Sequence, residues 1–163
     1  IDNNLRFPIL KIGEDAYMHY TSLAVADKIV TMSDVIYEYV QHEGSACHTY
    51  DDRIKQITES FNNVLEFYKD NKIDRYINDI VEDKYFWYKG WIRKLLRYKT
   101  SDSQIVKDVL DLYEKDYRNT VRDYGIVDQE LESKFKSKWV YKNSLIRWTF
   151  QKLKGIKNRL KAA

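Results

Sequence analysis

The sequence predicts a mostly helical chain with a small β part near its start, and three observations carry that prediction. From Tyr50 onward, apolar residues recur at spacings of three and four, the signature of amphipathic helices. Before that point, two short runs at residues 28–32 and 35–40 are dense in β-branched and aromatic residues, as strands are. Of the 163 residues, 44% are hydrophobic and 15% aromatic, with five Gly and one Pro. That is too apolar for a disordered chain and enough for one sizeable core.

The elements follow in order. Gly13-Glu14-Asp15 precedes a short helix over residues 16–26, where Tyr17, Tyr20, Leu23 and Ala24 share a face; acids in a first turn favour a helix start. Residues 28–32 and 35–40, joined at Ser33-Asp34, are expected to form a hairpin closed by Glu43-Gly44-Ser45. Thr49 or Asp51 then caps a helix carrying Ile54, Ile57, Phe61, Val64, Leu65 and Tyr68 and ending near Asn71. A further helix runs through Ile73, Ile77, Ile80, Val81, Tyr85 and Trp91 to about Tyr98, weakened at Gly90. Thr100-Ser101-Asp102 restarts the pattern at Ile105, Val109, Leu112 and Tyr113, and Gly125 ends it. The last helix is expected over residues 138–161, with Ile146, Phe150, Leu153, Ile156 and Leu160 on one face. The texture changes near residue 50 without a Gly/Ser linker, which divides the chain into 1–49 and 50–163.

Charge is distributed unevenly. The net charge is +3, yet from Ser133 to the end there are ten basic residues and no Asp or Glu, leaving 18 basic against 25 acidic residues before it. An acidic body with a basic tail predicts that the tail meets an anionic surface. The single cysteine, Cys47, cannot form an intrachain disulfide, so a cytoplasmic location is the default expectation. No apolar run approaches the ~18 to 20 residues of a membrane-spanning helix. The opening Ile1-Asp2-Asn3-Asn4 has no signal-peptide features and no initiator Met, from which the chain is expected to be a fragment.

The residues that bear on chemistry lie in the first fifty. In order they are Leu5-Arg6-Phe7-Pro8, then Gly13-Glu14-Asp15 opening a helix, then Tyr37-Glu38-Tyr39-Val40-Gln41-His42-Glu43-Gly44-Ser45. This order resembles the C-terminal part of the catalytic domain of family 2 glycosyltransferases of the bacterial polysaccharide and glycolipid type. In that family an F-P loop leads to an E-D pair at a helix start, and an aromatic-rich segment ending in Gly-Ser returns past the active site. The resemblance implies a fold, the C-terminal piece of a GT-A α/β domain with a short helix and two strands, followed by a helical extension. It also implies inverting transfer of a sugar from a nucleotide-diphosphate donor to a hydroxyl on a glycan or lipid-linked acceptor. Asp15 would be the base that takes the acceptor proton, with Glu14 contacting the acceptor or positioning the loop, and His42 would lie on the diphosphate or metal side. Mg²⁺ or Mn²⁺ is expected in the complete enzyme, but this chain carries no D-x-D-type motif after a strand and no set of βα units. It is therefore expected to bind no cofactor and to be inactive without a nucleotide-binding half.

Two further readings concern the tail. Trp139 and Trp148, set among Lys152, Lys154, Lys157 and Arg159, have the composition of an amphipathic helix at an anionic membrane interface. They place the protein peripherally on the inner face of the cell membrane. The same stripe also suits a helix packed on the body with its cations in water. The alternative function is a non-catalytic helical module whose basic tail binds an anionic membrane or RNA. Nucleic acid is the less favoured partner, because the aromatics are scattered over helix faces rather than gathered on one platform.

Overall fold

The computed structural model describes residues 5–38, 40, 51–97 and 103–136. Its elements are α1 (Glu14–Val25), a 3₁₀ turn (Asp52–Lys55), α2 (Gln56–Asp70), a 3₁₀ turn (Asp74–Tyr76), α3 (Ile77–Arg97), α4 (Ser103–Tyr124) and α5 (Gln129–Lys136). The chain divides into two compact units, Ile1–Lys84 and Tyr85–Ala163.

In the first unit, α2 forms because its apolar residues fall on one stripe. Ile57, Phe61 and Val64 are fully buried, and Leu65 and Tyr68 nearly so, positions that share a face of a 3.6-residue helix. Asp51 starts the preceding turn: its Oδ1 accepts a hydrogen bond from the Arg53 backbone N–H at 2.9 Å, and Arg53 also bridges its carboxylate. α2 stops at a Schellman turn. The Ile73 N–H reaches back to the Tyr68 carbonyl and the Lys72 N–H to that of Lys69, with Lys72 in the left-handed region at φ 58°. α1 lies against α2, with Ala16 and Thr21 of α1 and the preceding Ile12 buried.

The second unit has a core built largely from tyrosine. Tyr85, Tyr88, Tyr113 and Tyr117 are all at most 1% exposed. Buried phenols need partners: Tyr88 donates to Asp116 Oδ2 at 2.8 Å, and Tyr85 to the Ile126 carbonyl at 3.0 Å. The Tyr88 and Tyr113 rings stack with centroids 4.0 Å apart. Gly125, at φ 73°, closes α4 through its N–H to the Val121 carbonyl. Asp128 then caps α5, accepting the Leu131 N–H at 2.9 Å, while its Oδ2 pairs with Lys89 at 2.6 Å. Leu131 and Phe135 anchor α5 in the core.

Two sequence expectations change. The hairpin is absent: residues 28–32 and 35–38 have no secondary structure, and no strand or sheet exists among the described residues. The expected C-terminal piece of a GT-A domain, a short helix with two strands, is corrected accordingly; what stands there is α1 followed by irregular chain. The physical reason is that β-propensity measures fit to a half-buried pleated surface, and none is supplied among the described residues. Val35 is 91% and Ile36 76% exposed, and an isolated two-stranded hairpin is marginal in water. Ser33-Asp34 also lacks the Gly or Asn that tight hairpin turns favour. The second change is an addition, α5, in a stretch where only Leu131 and Phe135 repeat, too few to make a legible stripe.

Candidate functional site

The residues singled out by sequence sit at the start of α1, where three local features fix the backbone. Gly13 occupies the N-cap position in the left-handed region at φ 89°, a conformation that L side chains disfavour. Its carbonyl accepts a hydrogen bond from Ser60 Oγ of α2 at 2.5 Å and one from the Tyr17 N–H at 3.1 Å. Ile12 and Ala16 on either side of the acidic pair are buried. A Cβ added to Gly13 would stand 3.0 Å from Ser60 Cβ and 3.3 Å from Ile57 Cδ1, so the turn is pressed directly against α2. The preceding loop is tied to the same helix, because the Lys11 N–H donates to Gln56 Oε1 at 2.8 Å.

On this platform the two carboxylates differ. Asp15 is exposed, and its Oδ1 accepts the Ala16 N–H at 2.8 Å. Glu14 is half-buried, and its Oε2 is shielded from solvent with no hydrogen-bond donor among the described residues. Both carboxylates lie in the first turn of α1. A desolvated carboxylate oxygen without a donor is costly. The pair therefore sets one exposed carboxylate beside one with an oxygen shielded from solvent.

Sequence reasoning missed the groups that hold this turn. Ser60 carries no motif; its only signal is a small polar residue inside an otherwise apolar stripe. Farther along α1, Tyr20 donates to Asp83 Oδ2 at 2.9 Å, and Tyr68 donates to the Tyr20 carbonyl at 2.9 Å. Burial first, and then the Asp83 hydrogen bond and charge, push the Tyr20 phenol far above its usual range, so it stays protonated and serves as a strut.

His42 and the tail residues Trp139, Trp148, Lys152, Lys154, Lys157 and Arg159 lie outside the described residues. His19 is exposed, edge-on to Tyr20. No three His, Cys, Asp or Glu side chains among the described residues converge to hold a metal ion. Among the described residues there is thus no donor set for the Mg²⁺ or Mn²⁺ that the resemblance implies. Among the described residues no helix is long and apolar enough to cross a membrane. No family model, curated protein or solved structure matches the chain.

Proposed function

We propose that the protein takes part in inverting glycosyl transfer, as the part of a family 2 glycosyltransferase that supplies the catalytic base and a portion of the acceptor site. The supporting observation is Asp15, an exposed carboxylate on a backbone turn fixed by Gly13 and Ser60, next to a Glu14 oxygen that has no donor among the described residues. In this reading an acceptor hydroxyl attacks the anomeric carbon of a nucleotide-diphosphate sugar from the side opposite the leaving group. The new C–O bond forms as the bond from the anomeric carbon to the phosphate oxygen breaks, and the electron pair departs with the nucleoside diphosphate. The hydroxyl proton passes to the Asp15 carboxylate, while Glu14 accepts a hydrogen bond from the acceptor or positions the loop. In this reading His42 lies on the diphosphate or metal side of the donor. Acceptors of the cell-surface polysaccharide or glycolipid class are proposed, with the ten cations after Ser133 drawing the protein to the anionic inner face of the cell membrane.

The test is Asp15→Asn in the full-length protein, assayed against a panel of nucleotide sugars. The amide oxygen can still accept the Ala16 N–H, so the fold should be kept while the base is removed. Turnover is expected to fall by ~10²-fold or more, the usual contribution of a general base, with donor binding retained. Unchanged turnover, or no donor binding by the intact protein, rejects the enzymatic reading.

A further inference from the structure

The outward face of α3 carries its charges in two blocks of opposite sign. At 3.6 residues per turn, Glu82, Asp83, Phe86, Gly90, Arg93 and Lys94 fall within ~120° of one continuous helix. The four charged residues are exposed, and Phe86 between them is 66% exposed. Three of the charges already make a contact: Asp83 accepts the Tyr20 phenol, Arg93 stands 3.8 Å from Glu130, and Lys94 lies over the Trp91 ring. Gly90 is disfavoured in a helix interior relative to alanine, yet a Cβ there would meet nothing within 4 Å. The face thus sets an exposed aromatic ring one turn from an open notch.

The same six positions carry a two-fold symmetry. Residues 86 and 90 are centred on position 88, and so are the acidic pair 82–83 and the basic pair 93–94. When a second copy of α3 is laid antiparallel about an axis at position 88, Phe86 of each copy comes level with the partner's Gly90. The missing side chain lets the helix axes approach and leaves room for the ring. The acidic pair of each copy comes level with the basic pair of the other, ~8 Å to either side of the axis at 1.5 Å per residue. By helical angle, Glu82 falls on the side of the partner's Arg93 and Asp83 on the side of the partner's Lys94. A parallel arrangement instead sets acid against acid and base against base. Polarity is thus specified by repulsion as well as attraction.

We propose that this face of α3 is a self-association surface, through which two copies of the chain pair antiparallel about a two-fold axis at position 88. The helix is already formed, with Val81, Ile92 and Leu95 of its opposite face fully buried. Pairing therefore orders side chains only and needs no new backbone structure. Exposed ion pairs contribute little each; here they set the polarity, while the Phe86 ring supplies the apolar contact. One helix face is smaller than the ~800 Å² per partner of a standard interface, so the dimer is weak and dissociates on dilution. This inference does not depend on the glycosyl-transfer reading.

The test is sedimentation velocity from about 10 to 500 µM, within the span of weak affinities. The wild type is expected to dimerise reversibly. Phe86→Ala should weaken the dimer by roughly tenfold or more. Glu82→Lys and Arg93→Glu each set like charges level at two symmetric positions and should act in the same direction, while the double swap should restore association. Gly90→Gln fills the notch and should lower association although it favours the helix, which separates loss of the contact from loss of the fold. Residues 82, 86 and 93 are exposed, so these variants should keep the wild-type circular dichroism. In a Cys47→Ser background, Glu82→Cys mixed with Arg93→Cys should be joined by a short bismaleimide as the heterodimer, in preference to either homodimer. A monomer at every dilution, a dimer indifferent to Phe86→Ala or to the charge swaps, or a preference for homodimeric crosslinks overturns the proposal.

Discussion

Replacing Gly13 by alanine tests the claim that α2 fixes the turn carrying the acidic pair. Two penalties add at this position. The left-handed conformation at φ 89° costs an L residue about 1–2 kcal/mol. The new Cβ would stand 3.0 Å from Ser60 Cβ and 3.2 Å from Ser60 Oγ, and relieving such overpacking costs about 1–3 kcal/mol. A loss of roughly 2–5 kcal/mol follows, a large part of the 5–15 kcal/mol that holds a typical domain together. Gly125→Ala is the control, because that glycine is also left-handed at φ 73° but has nothing within 4 Å of its added Cβ. It should lose only the conformational part, about 1–2 kcal/mol. All four tryptophans lie beyond residue 84, so indole emission does not report on the first unit. Amide exchange of α1 and α2 through a urea series does, with the indole emission of Trp87 and Trp91 following Gly125→Ala. Equal losses for the two substitutions would show that the approach of Ser60 does not fix the turn.

Two other perturbations probe the second unit. Tyr88→Phe takes the phenol from the buried Asp116 carboxylate and should cost about 1–3 kcal/mol, the usual penalty for a buried polar group that loses a partner, read as a lower urea midpoint of Trp emission. Asp128→Ala removes both the α5 cap and the Lys89 pair. Burial alone would raise the Asp128 pKa, but the Lys89 hydrogen bond and charge and the Leu131 N–H outweigh it, so the pKa lies below the usual value. A depressed folded pKa means that this stabilisation is present above the unfolded value near ~3.9 and disappears as pH falls through the folded one. The variant should therefore show a flatter acid limb in its stability profile, and an unchanged limb would rule Asp128 out as its source.

The helices were legible because burial imposes a repeat that survives in one sequence. Ile57, Phe61, Val64 and Tyr68 mark α2, and Val109 with Tyr113 marks α4, so the positions of both helices follow from spacing alone. Gly13-Glu14-Asp15 was legible as a helix start, and Gly125 as a stop. What could not be read depends on contacts distant in sequence. Ser60 meets Gly13 across 47 residues and Tyr20 meets Asp83 across 63, and neither contact leaves a local pattern. The hairpin misled for the converse reason. Its local pattern is strong, but a strand exists only where backbone groups have a partner, and residues 28–38 find none among the described residues.

An acidic pair at a helix start is most often a cap, and the geometry of this turn departs from that arrangement. A capping carboxylate sits at the N-cap and accepts N–H groups two or three residues ahead. Here the N-cap is Gly13, which has no side chain, and Asp15 instead accepts the N–H of the adjacent Ala16. That bond satisfies one oxygen of an exposed carboxylate, and the helix start is secured independently by the Ser60 bond to the Gly13 carbonyl and by buried Ile12 and Ala16. In the proposed reading, stability and proton acceptance are carried by different groups in this turn. The fold depends on Gly13 and Ser60, while Asp15 contributes to it only through one local bond that asparagine can reproduce. A change confined to the Asp15 charge can therefore alter chemistry without altering structure, which is the separation a catalytic base requires and an ordinary cap does not.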